Sequence, residues 1–150
     1  TRGDIGTDAN LIAPGKRMLS SMTPTIITKG GKLLLVTGSP GGRTIPNTVI
    51  DVVLGVTAFG ESVRAAVDAP RVHHQWLPDE TRYEAGAVNA EAARVLTAKG
   101  HMLRAEPARS QGDAHSIWYD AATGTAYGAN DHRSADSGVG VPTAARPRWP

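Results

Sequence analysis

Two β-rich runs separated by a Gly-Gly pair are the feature that most constrains the fold of this chain. The first run covers residues 25–28 and the second covers residues 33–37, with Gly30 and Gly31 between them. Glycine readily takes the positive φ values that tight hairpin turns need, so the pattern predicts a β-hairpin. The second run is apolar at consecutive positions, which is typical of a strand buried on both faces.

Helical periodicity and turn residues divide the rest of the chain. Apolar residues recur at helical spacing after Thr44, which suits an N-cap, and Pro46, which suits a first turn; Gly60 ends this helix. Asn89 and Gly100 have the residue types that begin and end a helix. The other predicted elements are a short helix at residues 62–68, a polar loop at 71–80, a strand at 81–84, and a hairpin with strands at 115–119 and 125–129.

These elements predict a mixed α/β (α+β) fold in which antiparallel strands pack on helices. The predicted strands are few and short for a complete sheet, so we expect open strand edges that another segment or chain covers. Gly, Pro and Ala dominate the sequence from Ser134 onward. Residues 141–150 are therefore predicted to be a disordered tail.

Composition excludes several functional classes. The chain has 150 residues, 40% hydrophobic and 20% charged, which fits one globular domain. It contains no cysteine, which excludes a disulfide framework, a Cys-ligated zinc site and a thiol nucleophile. The net charge is only +2 and the arginines are scattered, which gives nucleic-acid binding no support. No apolar run reaches the length of a membrane span, and the N-terminus carries no secretory signal.

A first candidate for chemistry is the pair Ser20 and Ser21, in a loop just before the predicted buried strand. Hydroxyls and backbone N–H groups at a strand entrance can hold a carboxylate with several donors at once. The same hydroxyls can instead satisfy local backbone groups in a turn. From the pair alone, the second interpretation is favoured.

A second candidate is the glycine-rich stretch that ends in Gly41 and Gly42, between a predicted strand and a predicted helix. Glycines let the backbone approach a ligand closely, and N–H groups at a helix start attract negative charge. The stretch could be an oxyanion hole or a phosphate nest. It could equally be a tight strand-to-helix turn. It is not a Walker A loop, because the spacing is short and Arg43 stands where Lys is needed.

The polar loop at residues 71–80 contains adjacent histidines, His73 and His74, and two carboxylates. Their spacing matches no helical pair of metal ligands, and adjacent side chains on an extended segment point in opposite directions. Structural packing is therefore favoured over a metal site. A triad of Ser39, His74 and Asp79 can be written, but no G-x-S-x-G elbow supports it.

Several motifs together resemble the γ-glutamyltranspeptidase family, also called glutathione hydrolases. In chain order the motifs are Asp8-Ala9-Asn10, Pro14-Gly15-Lys16-Arg17, Leu19-Ser20-Ser21-Met22, Thr25-Ile26, Thr37-Gly38-Ser39-Pro40-Gly41-Gly42, Ala69-Pro70-Arg71-Val72-His73-His74-Gln75-Trp76-Leu77-Pro78-Asp79-Glu80, and Tyr127-Gly128-Ala129-Asn130-Asp131-His132-Arg133-Ser134. The resemblance covers residues 8–136, which is most of the chain. The last motif is similar to the family's terminal segment.

The resemblance implies an N-terminal-nucleophile hydrolase fold, an αββα sandwich of which this chain is a partial segment. Residues 1–140 would be the C-terminal part of a small-subunit domain. A proenzyme that cleaves itself into large and small subunits is also implied. In the family, a threonine at the new N-terminus attacks the γ-glutamyl carbonyl, with its own α-amine as base. Thr1 and its neighbours do not resemble that nucleophile segment, so the nucleophile is expected outside this chain.

The resemblance assigns Ser20 and Ser21 to the α-carboxylate of the γ-glutamyl group, and Gly41 and Gly42 to the oxyanion hole. The implied function is hydrolysis or transfer of the γ-glutamyl group of glutathione and related γ-glutamyl amides, without a cofactor or metal. The implied partners are this substrate, the large subunit and the remainder of the small subunit, in the periplasm or outside the cell. A cephalosporin-type acylase of the same fold and an inactive truncated chain are the alternatives.

Overall fold

The computed structural model describes residues 8–106 and 111–134, which form two β-sheets with helices packed beside them. The strands are β1 (Thr25–Lys29), β2 (Lys32–Gly38), β3 (Val72–His73), β4 (Thr81–Tyr83), β5 (Leu103–Ala105), β6 (His115–Asp120) and β7 (Thr125–Asn130). The α-helices are α1 (Ile45–Thr57), α2 (Val63–Asp68) and α3 (Ala90–Ala98), and short 3-10 turns cover Asp8–Asn10 and Gly42–Thr44. The tail predicted at residues 141–150 lies outside the described residues.

The larger sheet has the strand order β1-β2-β6-β7, and each neighbouring pair is antiparallel. It contains both predicted hairpins, which are thereby confirmed. Gly30 and Gly31 have φ values of 58° and 75°, in the left-handed region that a tight turn uses and that glycine adopts without strain. The pairing of β2 with β6 joins the two hairpins and sets Thr37 opposite Ser116. Their hydroxyl oxygens are 2.8 Å apart and buried.

Helices α1 and α2 cover one face of this sheet and form the core of the described chain. The predicted helix starts are confirmed by capping: Ser62 Oγ accepts from the Ala65 N–H at 3.1 Å, and Asn89 Oδ1 accepts from the Ala92 N–H at 2.8 Å. In the described ranges, no helix is long and apolar enough to cross a membrane. Helical and strand periodicity place the apolar side chains of these elements on facing surfaces. The buried core side chains are Leu35, Val52, Val63, Ala66, Val67, Ala114 and Ala129.

The opposite face of the larger sheet is only partly covered by the described residues. Ile26, Val36 and Ile117 are neighbours in the register on this face; Ile26 is 70% exposed, and the other two are partly buried. The prediction that residues 33–36 are buried on both faces is therefore wrong for the described part of the chain. Within this run, Leu35 is the residue that is fully buried. The reason is that α1 and α2 form a layer on one face alone.

The smaller sheet has the order β3-β4-β5 and lies beside α1 and α3. The strand predicted at residues 81–84 is confirmed as β4, which runs antiparallel to β3 and parallel to β5. Helix α3 connects β4 to β5, as a parallel pair requires a crossover connection. The two-residue β3 falls in the predicted loop, and β5 was not predicted, because strands this short show no alternating pattern.

Candidate active site

A glycine loop joins β2 to α1 in a conformation that glycine takes far more easily than other residues. Gly41 and Gly42 have φ values of 138° and 58°. A Cβ atom at Gly41 would lie 2.6 Å from Thr44 Oγ1 and 3.0 Å from the Cα of Gly112. Thr44 precedes α1 as predicted, but its side chain does not cap the helix and instead donates to the Gly41 carbonyl at 3.0 Å. The loop has no room for a side chain at Gly41.

The hydrogen bonds of this loop occupy its carbonyls and leave its N–H groups available. The Gly41 carbonyl accepts from the Thr44 N–H at 3.1 Å, and the Gly42 carbonyl accepts from the Ile45 N–H. Within the part of the chain that the structure describes, neither the Gly41 nor the Gly42 N–H donates a hydrogen bond. N–H groups at a helix start attract negative charge. These two N–H groups are therefore available to a ligand that carries negative charge.

The loop before β1 brings the serine pair to the glycine loop. Ser21 Oγ donates to the Gly42 carbonyl at 2.6 Å, a contact between residues 21 positions apart. Ser20 Oγ accepts from the Met22 N–H at 3.1 Å, which is the local turn contact that the structural interpretation of the pair predicts. Ser20 is exposed and Ser21 is partly buried, so both hydroxyls lie where a ligand can reach them. The structure thus brings the predicted serines and glycines together.

A third loop, residues 111–113, supports the glycine loop and was missed by sequence reasoning. The Asp113 N–H donates to Ser39 Oγ at 2.9 Å. Gly112 has a φ of 71°, and a Cβ atom there would lie 2.6 Å from Thr48 Oγ1 and 2.7 Å from Ser39 Oγ. Glycine at this position therefore lets the two loops pack closely. The sequence signals a turn at Gly112 but does not indicate which loop it contacts.

The adjacent histidines have different partners, as their spacing predicts. His73 is buried, and its Nδ1 and Nε2 lie 3.1 Å from Asn47 Oδ1 and 2.9 Å from Gln75 Oε1. His74 is more exposed, and its Nε2 lies 3.1 Å from Asp79 Oδ1. Each histidine ring therefore has its own hydrogen-bond partners. The described residues contain no group of three or more side chains that could hold a metal ion.

The triad written from Ser39, His74 and Asp79 is not assembled. His74 Nδ1 accepts from the Trp76 N–H at 3.1 Å, so the histidine already has a partner at each ring nitrogen. The Ser39 hydroxyl donates to a neighbouring backbone carbonyl at 2.5 Å. A serine activated by a histidine would have to donate to that histidine. The described residues contain no such hydrogen bond between Ser39 and His74.

A cleft of about 380 Å³ lies beside the glycine loop. Gly41 forms part of its wall, whereas Ser20 and Ser21 do not. The charged side chains around it are Arg43, Arg82 and Glu106. The glycine loop therefore forms part of a cleft with charged side chains at Gly41 and accepts a hydrogen bond from a serine hydroxyl at Gly42.

A buried ionic network holds the scaffold behind these loops. Asp131 Oδ2 lies 2.6 Å from Arg71 Nη2, and Asp131 Oδ1 lies 3.0 Å from Arg133 Nη1. Glu84 pairs with Arg133 and accepts from the Arg71 N–H. Burial alone would raise the pKa of both carboxyls, but hydrogen bonds from N–H donors and the two arginines hold the pKa of Glu84 and of Asp131 below the usual range. Sequence reasoning placed Arg71, Asp131 and Arg133 in family motifs and Glu84 at the end of the predicted strand at residues 81–84, without giving them a role.

Asp51, on α1, behaves in the opposite way. Burial raises its pKa to about 6, against the attraction of Arg71 and a hydrogen bond from the Val72 N–H, which lower it. Its Oδ2 is buried with no hydrogen-bond partner among the described residues. A carboxyl with this pKa takes up a proton just below neutral pH. The stability of the scaffold therefore depends on pH at this position.

The fold is that of known N-terminal-nucleophile hydrolases. A Helicobacter pylori γ-glutamyltranspeptidase superposes with a TM-score of 0.79 at 41% identity, covering 86% of this chain and 69% of that one. The Bacillus anthracis transpeptidase CapD superposes with a TM-score of 0.72 at 23% identity, covering 88% of this chain and 78% of that one, a likeness of fold alone. The chain is a partial segment of this αββα architecture.

The sequence comparisons identify the family. A family model described as gamma-glutamyltranspeptidase matches residues 3–141. The glutathione hydrolase proenzyme of Escherichia coli K12 is 47% identical over 134 residues, covering 89% of this chain and 22% of the relative. The Bacillus subtilis 168 proenzyme is 37% identical over 133 residues, with the same coverage of 89% and 22%. The chain therefore belongs to the γ-glutamyltranspeptidase family, as its motifs indicated, and spans 22% of the length of these two curated relatives.

Proposed function

We propose that the chain is the C-terminal portion of a glutathione hydrolase that hydrolyses or transfers the γ-glutamyl group of glutathione and related γ-glutamyl amides. The observation that carries this proposal is the hydrogen bond from Ser21 Oγ to the Gly42 carbonyl at 2.6 Å. It joins a loop rich in hydroxyls to a loop with unused N–H donors. A γ-glutamyl amide needs both kinds of group, one for its α-carboxylate and one for the oxyanion that forms during acyl transfer.

In the proposed mechanism, Ser20 and Ser21 bind the α-carboxylate of the γ-glutamyl group, and the Ser21 hydroxyl turns from the Gly42 carbonyl to donate its proton to the carboxylate. Each hydrogen bond to a charged group contributes about 1.5–3 kcal/mol to binding. The N–H groups of Gly41 and Gly42 then stabilise the negative charge on the γ-carbonyl oxygen, and one such donor typically contributes about 10²–10³ in rate. The attack comes from a threonine hydroxyl supplied by a part of the enzyme outside this chain, with the α-amine of that threonine as base.

The proposed partners are the large subunit and the remainder of the small subunit of the same proenzyme. The partly covered sheet face around Ile26, Val36 and Ile117 supports this, because exposed apolar side chains on a sheet face favour a second packed layer. The acivicin-inhibited γ-glutamyltranspeptidase structure, which matches this chain at 42% identity and a TM-score of 0.78, reveals critical roles for that protein's C-terminus in autoprocessing and catalysis. By its family, the enzyme acts in the periplasm or outside the cell.

Turnover of a γ-glutamyl 4-nitroanilide tests the proposal. The assembled enzyme, containing this chain and the polypeptide that supplies the threonine, should release nitroaniline. This chain alone should not, because an oxyanion hole assists a nucleophile and cannot replace one. A Thr1→Ala variant of the chain is the control. If the chain alone turns over the substrate and the Thr1→Ala variant does not, Thr1 is the nucleophile. If the assembled enzyme releases no nitroaniline, the proposed activity is refuted.

A further inference from the structure

Two hydroxyl side chains of the glycine loop, Ser39 and Thr44, have no part in the mechanism proposed above. Ser39 Oγ donates to the Pro40 carbonyl at 2.5 Å. Thr44 Oγ1 donates to the Gly41 carbonyl at 3.0 Å, and the Thr44 N–H donates to the same carbonyl at 3.1 Å. Each hydroxyl therefore holds a backbone carbonyl of the loop.

Each of these carbonyls shares a peptide plane with one of the two N–H groups that the proposed mechanism uses. The Pro40 carbonyl lies in the plane of the Gly41 N–H, and the Gly41 carbonyl lies in the plane of the Gly42 N–H. A peptide unit is planar and trans, so its C=O and its N–H point in opposite directions. A hydroxyl that fixes the carbonyl therefore also fixes the direction of the N–H on the other side of the plane.

These two peptide planes need an anchor because they are flanked by glycine. Gly41 and Gly42 have φ values of 138° and 58°, and glycine adopts positive and negative φ values about equally readily. A plane beside such a residue can rotate and turn its N–H group away from a ligand. An oxyanion donor is most effective when its direction is set before the reaction begins. The two side-chain hydrogen bonds supply this restraint.

Ser39 is itself held in place by the loop at residues 111–113. The Asp113 N–H donates to Ser39 Oγ at 2.9 Å, which leaves the hydroxyl proton for the Pro40 carbonyl. Gly112 packs so closely that a Cβ atom there would lie 2.7 Å from Ser39 Oγ. A chain of hydrogen bonds thus runs from Asp113 through Ser39 to the peptide plane of the Gly41 N–H, and the bonds in such a chain polarise one another.

We propose that Ser39 and Thr44 are positioning residues that hold the Gly41 and Gly42 N–H groups in the orientation that an oxyanion requires. The inference rests on the proposed function, because this orientation matters only if the N–H groups stabilise a developing charge. In the described ranges, the Pro40 carbonyl accepts no hydrogen bond other than that from Ser39. The Gly41 carbonyl keeps the Thr44 N–H if the hydroxyl is removed. Ser39 should therefore contribute more than Thr44.

Steady-state kinetics of the assembled enzyme with a γ-glutamyl 4-nitroanilide test the proposal. Ser39→Ala should lower kcat about tenfold, the fold-change that about 1.4 kcal/mol gives. It should leave KM within about twofold of the parent's, because the bound substrate does not carry the charge of the oxyanion. Thr44→Val, which removes the hydroxyl and keeps the branched shape, should lower kcat about threefold. Thr44→Ser, which keeps the hydroxyl, should recover most of that loss.

A double-mutant cycle separates positioning from general support of the fold. Where Gly41→Ala has already displaced the N–H group, adding Ser39→Ala should lower kcat by less than about twofold, because Ser39 acts through that group. Two matched controls change hydroxyls away from the loop: Thr57 Oγ1 donates to the Val53 carbonyl at 2.6 Å, and Ser62 caps α2. Thr57→Val and Ser62→Ala should keep the parent's kcat, although loss of the Ser62 cap should lower Tm.

The outcomes separate this proposal from the proposed function. If the parent enzyme releases nitroaniline and Ser39→Ala keeps its kcat, the role of Ser39 is overturned and the proposed function stands. The same loss from Ser39→Ala with and without Gly41→Ala would also overturn it, since the effect would not pass through the Gly41 N–H. A parent enzyme that releases no nitroaniline would overturn the proposed function itself. If Ser39→Ala does not assemble, Thr44→Val decides: an unchanged kcat overturns the proposal, and a loss that Thr44→Ser recovers supports it.

Discussion

Replacing Asp131 with asparagine is the most severe test of the scaffold. Asp131 is fully buried. Its Oδ2 accepts from the Ala114 N–H at 2.7 Å and from Arg71 at 2.6 Å, and its Oδ1 accepts from the Arg133 N–H at 2.9 Å and from the Arg133 side chain at 3.0 Å. Asparagine has nearly the same shape, but its NH₂ group would replace one oxygen and face donors. The arginines would also lose a compensating charge.

The expected loss of stability follows from these contacts. One neutral hydrogen bond contributes about 1 kcal/mol and one hydrogen bond to a charged group about 1.5–3 kcal/mol. Breaking a buried ion pair by removing one partner costs about 3–5 kcal/mol, because the other charge remains buried. We therefore expect Asp131→Asn to lower the free energy of unfolding by about 3–5 kcal/mol. The cost is concentrated where Arg71 and Arg133 meet Val67 and Glu84, behind the glycine loop.

Urea denaturation of the assembled enzyme, carrying either the parent chain or the variant, measures this loss. The matched control is Glu91→Gln, the same chemical change in a pair whose side chains are both 69% exposed. That variant should unfold at the parent's urea midpoint, since exposed pairs contribute little. If Asp131→Asn unfolds within about 1 kcal/mol of the parent with an unchanged m-value, the network does not stabilise the fold and the reasoning is wrong.

Three further predictions concern single positions and the exposed sheet face. Gly41→Ala should lower kcat of the assembled enzyme about 10²–10³-fold by displacing an oxyanion donor, because the new Cβ would meet Thr44 Oγ1 at 2.6 Å. The control Gly30→Ala, in open space at a hairpin turn, should keep the parent's kcat. Equal losses of kcat in the two variants would refute the assignment of Gly41. Asp51 has a folded pKa of about 6 against an ordinary 3.8, so its ionisation destabilises the fold increasingly as pH rises from 4 to 7. Over that range, the stability of Asp51→Asn should rise relative to the parent by up to about 3 kcal/mol. A difference in urea midpoints that does not change with pH would contradict this. The chain alone should associate or melt broadly because its sheet face is partly exposed; a sharp, concentration-independent transition of a monomer in calorimetry and light scattering would count against it.

Local signals in the sequence predicted most of the larger sheet and its helices. Hairpin turns at glycine, the periodicity of α1 and the capping residues Ser62 and Asn89 are all encoded within a few neighbouring positions. The strands β3 and β5 were missed because two or three residues carry no period. Burial of residues 33–36 was overestimated because an apolar run gives the same pattern whether the second layer comes from this chain or from another.

The candidate site was only partly accessible to sequence reasoning. Ser20, Ser21, Gly41 and Gly42 were found through motifs, but the contact between Ser21 and Gly42 depends on how β1 and β2 pair. The support from residues 111–113 was not found, because that loop reaches the glycine loop only after β6 pairs with β2. Long-range pairing of this kind leaves no trace in local periodicity.

The steady-state kinetics of a Ser20→Ala, Ser21→Ala double variant of the assembled enzyme test the central claim most directly. The measurement uses a γ-glutamyl anilide and its analogue without the α-carboxylate, a 4-aminobutanoyl anilide. If the two hydroxyls bind the carboxylate, the double variant should raise KM for the γ-glutamyl substrate at least tenfold, since each charged hydrogen bond is worth about 1.5–3 kcal/mol. It should also lose most of the parent's preference for the substrate with the carboxylate. An unchanged KM, or an unchanged preference between the two anilides, would contradict the assignment of Ser20 and Ser21.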